Sequence, residues 1–307
     1  MDTRENRLHI ATAIDHTYLL PLRVMLASLV QHLRPSFRPI LYIMNQTLND
    51  EDLAAIGAIV ETHSIVPPPG AVRSLPRSPR FLPEAAFPLL LPDLLPGSVE
   101  RVLFLDPDLL ILDDVAKVWE TELGDCVIAA ARDQAIPSSS SPRGVKYRSK
   151  LGVPDDVPYF NAGVMLIDIA RWKALDISAR AYEYLERRGE RADYFHQEAL
   201  NAVLWNRWIR LDQKWNLVAS LSGRSYGPYK DDSIDAPGIV HFAGHFKPWR
   251  FRIGGPFAAR YDEFVALCTD GEAPSPSLSE SLLGIYDRHV RDYLYGFERA
   301  LWKNRLI

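Results

Sequence analysis

The stretch Arg101-Val102-Leu103-Phe104-Leu105-Asp106-Pro107-Asp108 joins an unbroken apolar run to two acids with one proline between them. A run with no polar alternation predicts a strand covered by side chains on both faces. Pro107 ends it at little cost, because a strand end has no ladder N–H to lose. Outward from this strand, short apolar runs keep alternating with helical spacings. Leu8 to Ile14 predicts a buried strand that opens into Asp15-His16-Thr17-Tyr18. From Leu22, the positions Met25, Leu26, Leu29, Val30 and Leu33 predict a helix that Pro35 stops. Ile40 to Met44 predicts the next strand, and Asn49 is the expected N-cap of a helix carrying Leu53, Ile56 and Ile59. Strands and helices alternating at such short intervals predict an α/β protein: a mostly parallel, mixed sheet flanked by helices, with ligands beyond the carboxyl ends of the strands.

Downstream, Pro67 to Pro83 predicts an irregular surface segment, and Ala85 to Leu95 a helix leading into the 101–105 strand. Val127 to Ala131 predicts a strand ending at Arg132-Asp133. A second irregular region, from Ser138-Ser141 to Pro158, precedes Tyr159-Phe160-Asn161-Ala162-Gly163 and the apolar run Val164 to Ile169. Asp193 to Trp205 predicts a helix carrying His196-Gln197-Glu198. Ile239 to Phe242 predicts a last strand before Gly244-His245-Phe246-Lys247-Pro248-Trp249. Gly271 to Ser277 then predicts a linker, and Leu282, Tyr286, Val290, Tyr293, Phe297 and Leu301 recur at helical spacing. The expected organisation is one domain over residues 1–260, followed by a linker and C-terminal amphipathic helical tail over 261–307.

At 307 residues, 47% hydrophobic and 24% charged, the chain can bury a substantial core, which excludes a disordered or fibrous protein. A net charge of -4 leaves no basic field for a nucleic-acid backbone, so no nucleic-acid partner is expected. Cys126 and Cys268 lie far apart, which predicts two buried thiols in a reducing compartment rather than a disulfide or a thiolate zinc site. Met1 to Arg7 is polar and acid-containing, unlike a signal peptide. Pro88, Pro92 and Asp93 interrupt the apolar stretch Phe87 to Leu95, so no membrane-spanning helix is expected and the predicted location is cytoplasmic.

Asp106 and Asp108 are hard oxygen ligands that suit Mg²⁺ or Mn²⁺, and a cation there would neutralise a diphosphate that the acids alone would repel. His241 adds an imidazole, Gly244 allows close backbone approach, and Lys247 supplies a second cation. A nitrogen donor beside two carboxylates shifts the preference toward Mn²⁺. Taken singly, Asp-x-Asp also fits a solvated strand end or the nucleophile site of a haloacid dehalogenase-type phosphatase, and His241 a hydrogen-bonded structural histidine.

Five motifs in order resemble glycosyltransferase family 8: Thr12 to Tyr18, Arg101 to Asp108, Tyr159 to Val164, His196 to Asn201, and His241 to Trp249. That family contains bacterial lipopolysaccharide galactosyl- and glucosyltransferases and glycogenin. The resemblance implies a GT-A nucleotide-sugar-binding fold, a UDP-sugar donor, Mn²⁺ with Mg²⁺ as the alternative, and retention of anomeric configuration. By motif match it implies that Asp106, Asp108 and His241 ligate the metal, while Lys247 and the Gly244 backbone hold the diphosphate. It places Asp15 and Tyr18 at the uracil, Asp133 and Asn161 along the donor sugar, and Gln197 close to the anomeric carbon. His196 stands where many members carry the first acid of Asp-Gln-Asp, which contacts sugar hydroxyls. Ala86-Phe87-Pro88-Leu89 occupies the place of a Tyr-x-Arg-Leu stretch common in the family.

The expected activity is hexose transfer, of galactose or glucose, to a glycan or lipid-linked glycan acceptor in bacterial lipopolysaccharide biosynthesis. Gln197 is a poor nucleophile, so same-face substitution is expected over double displacement. The rival readings are the dehalogenase-type phosphatase and a non-catalytic nucleotide-sugar-binding protein. In the tail, Arg288, Arg291, Arg299, Lys303 and Arg305 outnumber Asp287, Asp292 and Glu298. With Tyr293, Tyr295, Phe297 and Trp302 this predicts either contact with the inner face of the membrane or packing on the domain or a second subunit, leaving the oligomeric state open.

Overall fold

The computed structural model describes residues 6–74, 83–188, 195–218, 236–244, 247–250, 256–269 and 271. Its strands are β1 (Asn6–Ala13), β2 (Phe37–Met44), β3 (Glu61–Ile65), β4 (Arg101–Leu105), β5 (Leu109–Ile111), β6 (Ile128–Arg132), β7 (Phe160–Asp168), β8 (Trp208–Arg210), β9 (Leu217–Val218) and β10 (Ile239–His241). Seven of them form one sheet in the order β3-β2-β1-β4-β7-β6-β8, and β5-β10-β9 form a smaller one. β3, β2, β1 and β4 run parallel, β7 is antiparallel to both its neighbours, and β8 is parallel to β6. The sheet is therefore mostly parallel and mixed, as its alternating sequence predicts.

Alternate residues of β4 explain its unbroken apolar run. Val102 and Phe104 enter a core with Trp172 of α7 (Ile169–Ala174), Leu185 of α8 (Ile177–Arg188) and Leu200 of α9 (Phe195–Leu204). Leu103 and Leu105 enter the opposite core with Leu22, Met25, Leu26 and Leu29 of α1 (Leu19–His32) and Ile56 of α2 (Asp50–Gly57). Helices thus cover both faces, with the short helices α3 (Pro69–Ser74), α4 (Leu91–Leu94), α5 (Ala116–Trp119) and α6 (Arg148–Leu151) in the connections between strands. A third core joins Leu110, Val240 and Phe242 to Val24 of α1 and to Tyr261, Phe264 and Val265 of α10, a helix over Pro256–Cys268. It clamps the small sheet between two helices. The expected division at residue 260 falls within α10.

Several local expectations need adjustment. Asn49 does cap α2, accepting from the Asp52 N–H at 2.8 Å while Asp52 accepts from the Asn49 N–H at 3.1 Å. The predicted helix over Ala85 to Leu95 is instead a 3-10 segment, Pro83–Leu89, followed by a one-turn helix at Leu91–Leu94. Pro88 and Pro92 remove the N–H groups that a continuous α-helix would use. The segment expected to be irregular after Pro67 contains a short helix, Pro69–Ser74, and residues 75–82 lie outside the described residues. β3 has no apolar pattern because, among the described residues, it is an edge strand pairing only with β2. Cys268 is buried, but Cys126 is only half-buried, and both are free thiols. The tail helix over 282–301 and, apart from Gly271, the linker lie outside the described residues.

Candidate metal centre and donor site

At Asp106-Pro107-Asp108 the chain leaves the large sheet through β4 and enters the small one through β5. The Asp106 N–H donates to the Gly163 carbonyl of β7 at 2.8 Å, and the Asp108 carbonyl accepts from the Phe242 N–H at 3.0 Å. Antiparallel pairing of β5 with β10 sets His241 opposite Leu109. Two distant stretches of sequence therefore meet because they share a strand ladder.

Ligand atoms of Asp106, Asp108 and His241 lie within 4.8 Å of one another. His241 Nε2 is 3.2 Å from Asp108 Oδ1 and 3.6 Å from Asp106 Oδ2. Lys247 Nζ pairs with Asp108 Oδ2 and donates to the Phe242 carbonyl at 2.7 Å. Asp108 Oδ1 is buried without a hydrogen-bond partner among the described residues, which is costly for a carboxylate oxygen unless a cation completes it. Burial and the charge of Asp108 push the Asp106 carboxyl up to about 7, which marks a surplus of negative charge. Burial would also raise Asp108, but Lys247 and His241 outweigh it and hold that carboxyl well below the usual range. Burial opposes the charge on His241 and on Lys247 too, yet Asp108 raises both. Two acids, one of them with an unpartnered oxygen, beside an imidazole fit a divalent cation.

Gly163 makes this approach sterically feasible. A Cβ there would sit 2.4 Å from His241 Cε1 and 2.7 Å from Asp106 Oδ2. The motif Tyr159 to Val164 thus carries a residue whose lack of a side chain the cluster requires.

Next to the cluster lies a hydrogen-bonded polar group. Asp133 Oδ1 accepts from the N–H groups of Ala135 and Ile136, each at 2.8 Å. Its Oδ2 accepts from Asn161 Nδ2 at 2.9 Å and Gln197 Nε2 at 3.1 Å. Gln197 Oε1 takes the Ala162 N–H at 3.0 Å, and Asn201 bridges β7 to α9 by accepting from the Phe160 N–H at 2.9 Å. Asn161 Oδ1 accepts from the Gly163 N–H at 2.9 Å and from Asn216 Nδ2 at 2.8 Å, while Asn216 Oδ1 meets His241 Nδ1 at 3.0 Å. Asp133, Asn161 and Gln197 are thereby brought together, with His196 adjacent and half-buried.

At the other side of Lys247, Tyr18 and Trp249 make an edge-on ring contact with centroids 5.7 Å apart, and Lys247 Nζ is 5.8 Å from the Tyr18 ring centre. Asp15 Oδ1 accepts from the Thr17 N–H at 2.8 Å, capping the short 3-10 turn His16–Tyr18. Gly244 has φ +86, a backbone that glycine adopts freely, and open space where a Cβ would stand.

A family comparison matches residues 9–252 to Glycosyl transferase family 8. The chain belongs to that family. This family 8 chain is 24% identical over 295 residues to General stress protein A of Bacillus subtilis, covering 90% of this chain and 99% of that one. It is 26% identical over 256 residues to lipopolysaccharide 1,3-galactosyltransferase of Salmonella typhimurium, covering 80% and 73%. Lipopolysaccharide 1,2-glucosyltransferase of Escherichia coli is 24% identical over 255 residues, covering 79% and 72%. The crystal structure of the galactosyltransferase LgtC with donor and acceptor sugar analogs superposes with a TM-score of 0.72 at 23% identity, covering 87% of this chain and 98% of that one. The architecture is therefore GT-A, the chain is a glycosyltransferase by family, and the phosphatase reading is set aside. Among the described residues no helix is long and apolar enough to cross a membrane.

Sequence reasoning missed two features. Asn216 is fully buried but sits in Gln213-Lys214-Trp215-Asn216, which has no pattern pointing to a site. Glu198, also fully buried, pairs with Arg188 Nε at 2.7 Å and accepts from the Tyr184 hydroxyl at 2.5 Å, fastening α9 to α8. The spacing Ile177, Ala181, Tyr184, Leu185 was the available signal for α8.

Proposed function

We propose that this chain is a retaining, Mn²⁺-dependent hexosyltransferase that moves galactose or glucose from a UDP-sugar to a glycan or lipid-linked glycan acceptor in bacterial lipopolysaccharide assembly. The observation that carries the reading is the convergence of Asp106, Asp108 and His241 within 4.8 Å. The lipopolysaccharide galactosyl- and glucosyltransferase relatives support the substrate class.

Asp106, Asp108 and His241 would hold the cation. When bound, the cation supplies charge neutralisation for a departing diphosphate. Lys247 spends two of its three N–H donors on Asp108 and the Phe242 carbonyl, and the third is assigned to a phosphate oxygen, where it stabilises the leaving charge. The left-handed Gly244 backbone is assigned to the same diphosphate. Tyr18, packed on Trp249, offers an aromatic surface to uracil, with Asp15 beside it. Asp133, Asn161 and His196 are assigned to the donor sugar.

Gln197, tied between Asp133 and the Ala162 N–H, is held rigidly for a position near the anomeric carbon. Its amide is a weak nucleophile, and the four hydrogen bonds accepted by Asp133 stabilise that carboxylate against attack chemistry. Both features favour same-face substitution. The acceptor hydroxyl would then enter on the face the diphosphate leaves, giving up its proton to the leaving phosphate. A glycosyl adduct trapped on Gln197 or Asp133 would reverse this assignment.

A thermal-shift screen of UDP-, GDP- and dTDP-sugars, each with and without Mn²⁺, tests the reading as a whole. The expected result is stabilisation by UDP-galactose or UDP-glucose only when Mn²⁺ is present, with hydrolysis or transfer of the same donor. Binding without turnover across the panel would identify a non-catalytic nucleotide-sugar-binding protein. The reading also includes a cytoplasmic location with the basic, aromatic tail on the inner face of the membrane. Liposome flotation of the full chain against one truncated after Gly271 tests that part, and equal partition rejects it.

A further inference from the structure

The orientation of the Asn161 and Asn216 amides, which link Asp133 to His241, follows from one backbone donor. The Gly163 N–H can only donate, so the atom that receives it at 2.9 Å is Asn161 Oδ1, an acceptor. The same oxygen is 2.8 Å from the side-chain amide of Asn216, which must therefore present Nδ2 to it. The other end of that amide, Oδ1, faces His241 Nδ1 at 3.0 Å. A carbonyl oxygen has no proton to give, so Nδ1 carries the hydrogen. In the neutral ring the lone pair then resides on Nε2, the atom that lies 3.2 Å from Asp108 Oδ1 and 3.6 Å from Asp106 Oδ2.

Asn216 is fully buried, and turning its side-chain amide over would set Oδ1 against Asn161 Oδ1, two acceptors with no proton between them, so it has little freedom to flip. We infer that Asn216 is a positioning residue that fixes His241 in the Nδ1–H form and aims its Nε2 lone pair at the space shared with Asp106 and Asp108. This rests on the cation-binding reading above. Outer hydrogen bonds of this kind set the ring orientation and basicity of a metal-binding histidine. Through Asn161, the same chain of bonds connects the ring to Asp133, so the cation end and the sugar end of the site share one rigid set of donors and acceptors.

The test is a Mn²⁺ titration followed by the electron paramagnetic resonance signal of free Mn²⁺, on the full chain and on Asn216→Leu and Asn216→Asp. Leu fills the volume but neither accepts nor donates, whereas Asp keeps an acceptor for Nδ1–H. Asn216→Leu should weaken Mn²⁺ binding by roughly 10- to 100-fold, and Asn216→Asp should recover most of that loss. Unchanged affinity in Asn216→Leu overturns the inference alone, while a wild-type chain that binds no Mn²⁺ overturns the cation reading with it. If neither variant folds, long-range ¹H–¹⁵N spectra of the wild-type histidines with Mg²⁺ decide the matter. The ring that shifts on Mg²⁺ addition should carry its hydrogen on Nδ1, and a hydrogen on Nε2 refutes the assignment.

Discussion

The two ends of the site are built on opposite terms. Around Asp106 and Asp108, charge is concentrated and incompletely partnered: Asp108 Oδ1 accepts no hydrogen bond among the described residues and has the His241 imidazole beside it at 3.2 Å, and Asp106 is pushed up to about 7 by burial and by its neighbour. Around Asp133, a single carboxylate accepts four hydrogen bonds and stands at the centre of a satisfied network. The first end is unfavourable until something positive arrives, while the second is already complete. A folded scaffold can carry the former because the latter, with the cores around it, holds the backbone in place.

Asp106→Asn breaks the contrast most sharply. Turnover of the UDP-sugar should fall by about 10³-fold or more, the worth of several kcal/mol of charge stabilisation. Yet without metal at pH 8 its urea midpoint should be no lower than that of wild type. The sign follows from the raised carboxyl: ionising Asp106 is harder in the folded than in the unfolded chain, so its charge lowers stability as pH rises from about 4 to 7, and the amide removes that penalty. Asp133→Ala should do the opposite to stability. It strands four donors and should cost about 3 kcal/mol in urea unfolding.

Gly163→Ala tests the steric side of the metal end. The added methyl collides with His241 and Asp106, so Mn²⁺ affinity should fall by roughly 10- to 100-fold while the far-UV circular dichroism is retained. The smallest expected effect is in pH. Below about 7 a proton competes with the cation for Asp106, so Mn²⁺ affinity should weaken by about tenfold between pH 8 and pH 6. Calorimetry in buffers of different ionisation enthalpy should show proton release on binding near pH 6.5, and a flat profile would mean that Asp106 is not a ligand.

Much of the fold was legible along the chain wherever side-chain periodicity expressed burial. Val102 to Leu105 could be read as buried on both faces, and the structure divides those residues between two cores. Asn49 announced its cap through a side chain that bonds within one turn. The reading failed where local pattern is weak or misleading. β3 is a polar edge strand, and the helix expected over Ala85 to Leu95 was broken by two prolines whose apolar surroundings masked their effect. In the site, Asp106, Asp108, His241 and Lys247 stood out as polar residues at or just beyond strand ends, whereas Asn161 and Gln197 were singled out by the family motifs. Asn216 did not, since its partners Asn161 and His241 are remote in sequence.

Short-range periodicity and ordered motifs are properties of a linear string, so the order of residues suffices for the alternation of strands and helices, the strand-end position of the two acids and membership in glycosyl transferase family 8. Folding alone brings the Asp108 and His241 side chains together through the pairing of β5 with β10, requires Gly163 to lack a side chain, and points the Asn216 side-chain carbonyl at the histidine ring. Those facts depend on strand register and on which way a buried amide turns. Both are set by hydrogen bonds between residues far apart in the chain, whose pairing is created by folding and written in no local pattern.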